Sequence, residues 1–260
     1  MATVFITGGS SGIGKELAEL FAEKKYDLIL LSRTQEKLEK VKDKIEKRFS
    51  VKCIIIECDL RIIENIQKAH IDKLIKDSDP DIFINCAGIG KIVETCKMTV
   101  EEEIETINVN FISPMILTKI FLESFSGKEK RTVINICSMA SLFPHPYMAG
   151  YSASKSGLLF YSLAVEEELR KKKSRIRIIS ICPGTVSTGF FPENTKKKFG
   201  KMAEYSMTPK KAAEEIFKAY EKNKKFVVLG IGNQIMFKFL NFFPFKLKLK
   251  IIGEILKKGL

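Results

Sequence analysis

Short apolar runs recur along the chain and alternate with longer segments in which apolar positions repeat at helical spacing. The runs predicted as strands are Thr3–Thr7, Asp27–Ser32, Lys52–Cys58, Ile82–Asn85, Thr132–Cys137, Arg177–Cys182 and Lys225–Leu229. The segments predicted as helices include Lys15–Lys24, Thr34–Phe49, Val100–Phe125, Ser152–Lys171 and Pro209–Lys222. Mostly apolar strands separated by helices indicate a parallel sheet covered on both faces. We therefore predict an α/β fold: a doubly wound, mostly parallel sheet of about seven strands in three layers.

The alternation continues without a linker, which predicts one domain over residues 1–260. A chain of this length buries enough surface to fold without disulfide or metal support. Apolar residues make up 45% and charged residues 29%, a composition typical of globular proteins. Within the domain, residues 188–207 are interpreted as a substrate-loop region and residues 230–260 as a C-terminal extension.

The cysteine pattern predicts reduced, buried thiols rather than disulfides or a metal site. The six cysteines are Cys53, Cys58, Cys86, Cys96, Cys137 and Cys182, and no two are spaced as C-x-x-C. The chain opens directly into the predicted strand Thr3–Thr7, without a basic leader, which favours a cytoplasmic location.

The net charge of +13 reflects lysines spread along the whole chain. Because they are not gathered in one patch with aromatic residues, we predict no nucleic-acid partner. The excess favours acidic partners, including phosphate-rich cofactors and anionic membranes.

A glycine-rich turn lies between the first predicted strand and the first helix. Residues 8–14 read Gly8-Gly9-Ser10-Ser11-Gly12-Ile13-Gly14. Glycines permit a tight turn and let a pyrophosphate approach the backbone, where N–H groups at the helix N-terminus can bind it. The spacing differs from the general G-x-G-x-x-G fingerprint.

The same turn also fits G-x-S-x-G, the nucleophile elbow of serine hydrolases, with Ser10 as nucleophile. The turn lies on the first strand of the chain, before any scaffold for an oxyanion hole. The triad would also have to end on His70 or His145, the two histidines of the chain. Both observations disfavour the hydrolase.

The end of the second strand bears on the choice of nicotinamide cofactor. An acidic residue there would bind the ribose hydroxyls of NAD, but the chain has Ser32 followed by Arg33. A guanidinium pairs well with a 2′-phosphate, so NADP(H) is preferred over NAD(H). Lys37 lies nearby, and an exposed surface arginine is the alternative interpretation of Arg33. Asp59, followed by Leu60, is placed to meet the adenine amino group, or serves only as a turn former.

A tyrosine and a lysine four residues apart begin the helix after the fifth strand. Tyr151 and Lys155 share one helical face, and a neighbouring cation is expected to lower the pKa of the phenol. Tyr220 and Lys224 have the same spacing, but they lie at a helix end among charges, where we expect a solvated tyrosine.

Motifs along most of the chain together resemble the short-chain dehydrogenase/reductase family. They are Thr7-Gly8-x-x-x-Gly12-Ile13-Gly14, Asn85-Cys86-Ala87-Gly88, Asn108-Val109-Asn110, Ser138, Tyr151-Ser152-Ala153-Ser154-Lys155 and Pro183-Gly184-Thr185-Val186-Ser187-Thr188. They occur in the family's order between Thr7 and Thr188. Ser113 replaces a glycine common in the family, and Cys86 replaces a frequent Asn or His.

The resemblance implies roles for four residues. Tyr151 would donate a proton to the substrate oxygen while hydride leaves the nicotinamide C4. Lys155 would lower the pKa of the tyrosine and bind the nicotinamide ribose. Ser138 would hydrogen-bond the substrate oxygen. Asn110 would help hold a water molecule that relays protons through Lys155.

The resemblance also implies a cofactor site and an assembly. Asn85, Ala87 and Gly88 would line the adenosine side, and Pro183, Gly184, Val186 and Thr188 the nicotinamide carboxamide. Alternatively, residues 85–88 mainly stabilise the central strand and Pro183-Gly184 forms only a turn. Helices Val100–Phe125 and Ser152–Lys171 would form the interface of a homodimer or homotetramer.

The C-terminal stretch is rich in phenylalanine and lysine and is too broken for a transmembrane helix. Three interpretations stay open: a substrate lid with ordinary core, an interfacial helix on an anionic membrane, or an oligomer contact. The loop Thr188–Met207, with Phe190, Phe191 and a Lys196–Lys198 run, is expected to cover an apolar substrate.

The sequence thus predicts an NADP(H)-dependent oxidoreductase that interconverts an apolar ketone or aldehyde, lipid-like or steroid-like, and its alcohol. One alternative is a 3-oxoacyl-carrier-protein reductase, because carrier proteins are acidic and this chain is basic. Another is a non-catalytic NADP-binding or membrane-associated interaction protein. The complete Ser138, Tyr151 and Lys155 set argues against the latter.

Overall fold

The computed structural model describes residues 2–124, 130–190 and 206–257. Within these residues, seven strands form one sheet in the order β3-β2-β1-β4-β5-β6-β7, and every neighbouring pair is parallel. The strands are β1 (Thr3–Thr7), β2 (Asp27–Ser32), β3 (Cys53–Glu57), β4 (Ile82–Asn85), β5 (Arg131–Ile136), β6 (Ile176–Cys182) and β7 (Phe226–Val228). The predicted fold class is confirmed, and the strand limits differ from the predicted ones by at most one residue.

Helices cover both faces of the sheet, which is why its central strands are mostly apolar. The helices are α1 (Gly12–Glu23), α2 (Gln35–Phe49), α3 (Glu64–Lys68), α4 (Ile71–Ser78), α5 (Val100–Ile107), α6 (Ser113–Ser124), α7 (Ala149–Lys171), α8 (Pro209–Glu221), α9 (Ile231–Asn241) and α10 (Phe245–Lys257). Leu17 and Phe21 of α1 pack on one face of the sheet together with α8, and Leu117 and Phe121 of α6 pack on the other.

The segment Val100–Phe125, predicted as one helix, is interrupted. A π-helical turn over Asn108–Ile112 separates α5 from α6, and Phe125 lies outside the described residues. Within this turn, the side-chain amide of Asn110 donates to the Ile89 carbonyl at 2.8 Å, and its Oδ1 accepts from the Ile89 N–H at 3.0 Å. These bonds to a distant loop hold Asn110 inward, and such turns are frequent at functional sites.

The strand order reverses between β1 and β4, because β2 and β3 extend to one side of β1 and β4 to β7 to the other. In sheets of this kind, ligands bind in the crevice outside the carboxyl ends of the strands at this reversal. The fold therefore places the loops after β1, β2, β4, β5 and β6 around one crevice.

The cysteines are largely buried, as predicted, with one exception. Cys53, Cys58, Cys137 and Cys182 are buried and Cys86 is half-buried, whereas Cys96 is exposed because it lies in a short 3-10 turn on the surface. Within the part of the chain that the structure describes, every helix is too short or too polar to cross a bilayer.

Candidate active site

At two glycines of the turn after β1, a side chain would collide with neighbouring backbone atoms, so only glycine fits. A Cβ on Gly14 would lie 2.3 Å from the Gly8 carbonyl oxygen. Gly8 adopts a φ of +72°, and a Cβ there would lie 2.9 Å from the Ala87 Cα. The turn is therefore folded tightly on itself and on the loop after β4, with bare backbone at its surface.

The helix that follows begins at Gly12, three residues before the predicted segment Lys15–Lys24. Ser11 precedes it in an extended conformation, and its side chain caps none of the first-turn N–H groups. Those N–H groups have no carbonyl partner within the helix, and together with the helix dipole they favour an anion. Ser10 and Ile13 are half-buried beside this N-terminus.

Thr7 ties the glycine turn to the loop after β4. Its Oγ1 accepts hydrogen bonds from the backbone N–H groups of Cys86 and Ala87 at 3.0 and 3.1 Å. Ala87 and Gly88 are thereby held beside the turn at the point where the strand order reverses.

The side chain of Asn85, at the end of β4, is bonded within the protein. Its side chain is buried and donates to the Asn135 Oδ1 at 2.8 Å and to the Thr118 Oγ1 at 3.0 Å. Asn135 in turn donates to Ser162 on α7 at 2.7 Å. These bonds place the Asn85 amide between the sheet and the helices, which matches the alternative interpretation of this residue as a stabiliser of the central strand.

The ends of β2 and β3 border an open cavity of about 470 Å³. Arg33 is exposed and lines it together with Asp59 and Lys68, while Ser32 is buried and accepts from the Thr34 N–H at 3.4 Å. Glu57, Cys58, Asn65 and Ala69 complete the lining. Arg33 is therefore positioned for an anion in this cavity.

Asp59 is engaged by a residue that the sequence did not single out. Arg61 holds both carboxylate oxygens, with Nη2 at 2.6 Å from Oδ2 and Nε at 3.0 Å from each oxygen. Hydrogen bonding to Arg61 holds the pKa of Asp59 below its usual range. The neighbouring Leu60 is buried, and its carbonyl accepts from the Ser113 hydroxyl at 2.9 Å.

The start of α7 brings Tyr151 to the same crevice. Its ring packs edge-on against Phe190, with 5.6 Å between the ring centroids. A Cβ on Gly90 would lie 2.7 Å from the Tyr151 Cδ2, so this glycine makes room for the ring. Ser138 lies near the phenol and lowers its pKa, and its own Oγ is fixed because it accepts from the Ala140 N–H at 3.1 Å. A phenol and a hydroxyl in this arrangement can both reach one carbonyl oxygen.

Lys155 lies beneath Tyr151, one turn along α7. It is only 4% exposed, and its Nζ donates to the Ile136 carbonyl at 2.8 Å. A Cβ on Gly88 would lie 3.5 Å from this Nζ and 3.3 Å from the Asn110 Oδ1. Asn110 also donates to the Ser154 hydroxyl at 3.2 Å. The structure thus brings Lys155, Asn110 and the loop after β4 together.

The expected lowering of the Tyr151 pKa by Lys155 is wrong in this structure. Burial raises the pKa of the phenol to about 12, and the opposing effect comes from the nearby Ser138 hydroxyl. Lys155 is directed toward the Ile136 carbonyl, and burial lowers the pKa of its ammonium. Tyr151 is therefore a protonated phenol at neutral pH.

The expectation that Tyr220 is solvated is also wrong. Its ring packs near Phe21 and Phe217, and the Arg177 guanidinium lies 5.2 Å from the ring centroid. Burial raises the pKa of this phenol as well. Tyr220 lies on the α1 side of the sheet, in the cluster packed against β1 and β6.

The loop that follows β6 lies along the crevice. The Pro183 carbonyl accepts from the Met139 N–H at 2.8 Å, and Val186 forms a bridge with Met207. Thr188 reaches the glycine turn, since a Cβ on Gly12 would lie 3.0 Å from the Thr188 Cγ2. Phe191 and Lys196–Lys198 lie outside the described residues.

Gly184 is covered by a residue of the C-terminal extension. A Cβ on this glycine would lie 2.4 Å from the Asn233 Nδ2, at the start of α9. The sequence did not single out Asn233 or Gly90, because each contacts a site residue that is distant in sequence. Among the described residues, no group of three or more His, Cys, Asp or Glu side chains is arranged to hold a metal ion.

Comparison with known proteins shows the family of the chain. A family model described as short chain dehydrogenase matches residues 2–198. The chain is 29% identical to an NADP-dependent 3-hydroxy acid dehydrogenase of Schizosaccharomyces pombe over 87% of this chain and 89% of the relative. It is 28% identical to a very-long-chain 3-oxoacyl-CoA reductase-B of Danio rerio over 70% of this chain, but it matches only 59% of that relative's length.

A solved structure shows the same fold. The short-chain dehydrogenase of Sphingobium yanoikuyae, in complex with NADPH, superposes with a TM-score of 0.80 at 22% identity and covers 93% of this chain and 92% of that chain. The glycine turn, Ser138, Tyr151 and Lys155 all lie within the residues that the family model matches. The protein therefore belongs to the short-chain dehydrogenase family of oxidoreductases.

Proposed function

We propose that the protein reduces the carbonyl group of an apolar ketone or aldehyde with NADPH, or runs the reverse oxidation, with Tyr151 as general acid and base. The observation that carries this proposal is the meeting of Tyr151, Ser138 and Lys155 at the crevice bordered by the glycine turn. Family members act on small molecules, and the 3-hydroxy acid dehydrogenase relative is NADP-dependent by name.

The residues of the crevice fit a dinucleotide. The uncapped N-terminus of α1 and the turn in which Gly8 and Gly14 exclude side chains suit a pyrophosphate. Arg33 would take the 2′-phosphate, Ala87 and Gly88 the adenosine side, and Lys155 the nicotinamide ribose. The segment from Pro183 to Thr188 would hold the carboxamide. When bound, the nicotinamide supplies a hydride to the carbonyl carbon.

Cofactor choice is expected to depend on Arg33. In Arg33→Ala, kcat/KM for NADPH should fall roughly 10- to 100-fold while the value for NADH changes little, because one charge-assisted hydrogen-bond pair is lost. Lys37→Ala, which removes an exposed cation of α2 four residues from Arg33 in sequence, serves as the control and should leave the ratio unchanged. If Arg33→Ala lowered kcat/KM equally with NADPH and NADH, Arg33 would not bind the 2′-phosphate.

The chain's own residues supply the proton. Ser138, fixed by its bond from Ala140, would hold the carbonyl oxygen, and Tyr151 would donate its proton to that oxygen. The ring of Phe190 against Tyr151 shields the reacting atoms from water. Asn110 would hold a water at the loop after β4 that returns the proton through Lys155.

The raised pKa of Tyr151 predicts different pH profiles for the two directions. Reduction needs the protonated phenol, which persists below a pKa of about 12, so its kcat/KM should stay flat through the neutral range. Oxidation needs the phenolate, so its kcat/KM should rise by about tenfold per pH unit over the same range. Steady-state profiles in both directions test this, and an oxidation profile that is flat through neutral pH would contradict it.

The substrate class is tested directly by a panel of ketones screened for NADPH oxidation, with fatty 3-oxoacyl thioesters, steroid ketones and small polar ketones as its arms. We expect turnover of apolar ketones with kcat/KM well above that for small polar ones. A 3-oxoacyl-carrier-protein substrate is the second candidate, since the surface is basic and a relative is named as a 3-oxoacyl-CoA reductase. Absence of NADPH oxidation with every arm would refute the proposal.

We also propose a homodimer or homotetramer built on α5 and α7. Val100, Ile104 and Phe160 are exposed on these helices at 69%, 52% and 68%, and Ile107 and Leu163 extend the same apolar surface. Sedimentation velocity should show an assembly that Phe160→Glu dissociates, whereas a monomeric wild-type protein would disprove this interface.

A further inference from the structure

The two C-terminal helices, α9 and α10, expose an apolar face that the proposed function does not use. Ile231, Ile235 and Phe239 lie on one side of α9, and Phe242, which follows the last residue of the helix in helical conformation, continues this row at an interval of three residues. Their exposures are 76%, 63%, 59% and 87%. Exposed apolar residues grouped in this way mark an interaction surface.

The opposite side of these helices is anchored to the domain. The ring centroids of Phe237 and Phe143 are 6.0 Å apart, and Leu240 and Ile252 pack with Phe143 in one buried cluster. The ammonium of Lys248 lies 5.2 Å from the centroid of the Phe143 ring. The exposed face is therefore held in a fixed orientation.

This anchoring sets the exposed face beside the active-site crevice. Phe143 belongs to the loop that follows Ser138, and Asn233 of α9 packs on Gly184 in the loop after β6. A Cβ on Gly253 of α10 would lie 3.4 Å from Pro146, in the first of these loops. Both loops that border the crevice are thus in contact with the two helices.

The charge of the surface indicates the kind of partner. The sequence of α9 and α10 contains five lysines and one acidic residue, Glu254. Lys246, Lys250 and Lys257 lie along one side of α10, next to the exposed Phe245 and Leu249. A two-fold contact with a second copy would bring lysines against lysines, whereas an anionic headgroup layer would neutralise them.

We propose that the outward face of α9 and α10 docks on an anionic lipid bilayer, with the phenylalanines and isoleucines inserted at the acyl boundary and the lysines among the headgroups. Docking in this orientation turns the loops after Ser138 and Gly184 toward the membrane. An apolar substrate then reaches the crevice from the bilayer, a consequence that rests on the proposed function.

Co-sedimentation of the full chain with phosphatidylcholine vesicles, with and without phosphatidylserine, tests the docking. The wild-type protein should bind the phosphatidylserine vesicles, and added salt should weaken this binding. Phe239→Glu combined with Phe242→Glu should lower the affinity by at least about tenfold, because two large apolar side chains no longer insert. Ile54→Glu, at an exposed apolar position of β3 on the opposite edge of the sheet from β7, is the control and should bind as the wild type does.

The lysines are tested separately. Lys246→Gln, Lys250→Gln and Lys257→Gln together should remove the preference for phosphatidylserine. Lys171→Gln, Lys172→Gln and Lys173→Gln make the same change of charge at the end of α7 and should not. Binding that is absent, equal for the two kinds of vesicle, or indifferent to the Phe239 and Phe242 changes would overturn the proposal. So would dissociation of an oligomer by those changes with vesicle binding kept, since the face would then join copies of the chain.

A measurement of reductase activity separates the failure of the docking proposal from the failure of the proposed function. The Phe239 and Phe242 double variant should reduce a water-soluble ketone at the wild-type rate, because neither side chain lies in the crevice. Vesicle binding without any reductase activity would refute the proposed function and leave the docking intact.

Discussion

Replacement of Tyr151 by phenylalanine is expected to lower kcat for carbonyl reduction by roughly 10² to 10⁴-fold, the range that a positioned proton donor contributes. The variant loses the one phenolic proton that the structure places beside Ser138. It keeps the ring that packs on Phe190 and Gly90. Stopped-flow or steady-state NADPH oxidation measures the loss, and NADPH binding by fluorescence should remain close to that of the wild type.

Tyr220→Phe is the matched control for this prediction. It removes a phenol from the second Y-x-x-x-K pair, in the cluster packed on α1, where no dinucleotide or substrate is expected. Its kcat should equal that of the wild type. If Tyr151→Phe turned over at the wild-type rate, or if both variants lost the same activity, Tyr151 would not be the proton donor.

Replacement of Gly14 by alanine is expected to weaken NADPH binding by at least about tenfold and to lower the free energy of unfolding by about 1–3 kcal/mol. The added Cβ would meet the Gly8 carbonyl oxygen at 2.3 Å, so the turn must open. Isothermal titration with NADPH and urea denaturation measure the two effects. The loss is informative because alanine within a helix normally stabilises relative to glycine.

Gly232→Ala is the control for this prediction and is expected to raise the free energy of unfolding. Gly232 lies in α9, and a Cβ there would meet nothing within 4 Å. This variant should gain up to about 1 kcal/mol in the free energy of unfolding and bind NADPH as the wild type does. A gain in stability for Gly14→Ala like that of Gly232→Ala would mean that the turn is looser than the structure describes.

The sheet was predictable because parallel strands covered on both faces are nearly continuous apolar runs, as in Ile82–Asn85. The break at Asn108–Ile112 was not, because it depends on bonds between Asn110 and Ile89 that join separate loops. The helices α3 and α4 were not predicted, because they are too short for the helical repeat of apolar positions to be recognised. The limits of α9 and α10 were not predicted, because Pro244 interrupts the segment and apolar residues lie on the exposed sides of both helices.

For the candidate site, local spacing identified which residues meet but not how each side chain is used. Tyr151 and Lys155 were paired by their four-residue interval, yet the carbonyl that receives Lys155 belongs to β5 and set the direction of the ammonium. Burial of the phenol, which raises its pKa, depends on Phe190 and Gly90. The bonds of the Asn85 side chain were not predictable, because its partners, Thr118 and Asn135, are distant in sequence.

The most direct measurement follows deuterium from the cofactor to the product. Reduction of an accepted ketone with NADPH deuterated at one face of the nicotinamide C4 should give, by mass spectrometry, an alcohol with one deuterium on its carbinol carbon. The opposite deuterated face should give unlabelled alcohol, and Tyr151→Phe should form almost no product. Alcohol without deuterium from both forms of NADPH, or labelled alcohol formed by Tyr151→Phe at the wild-type rate, would contradict the account.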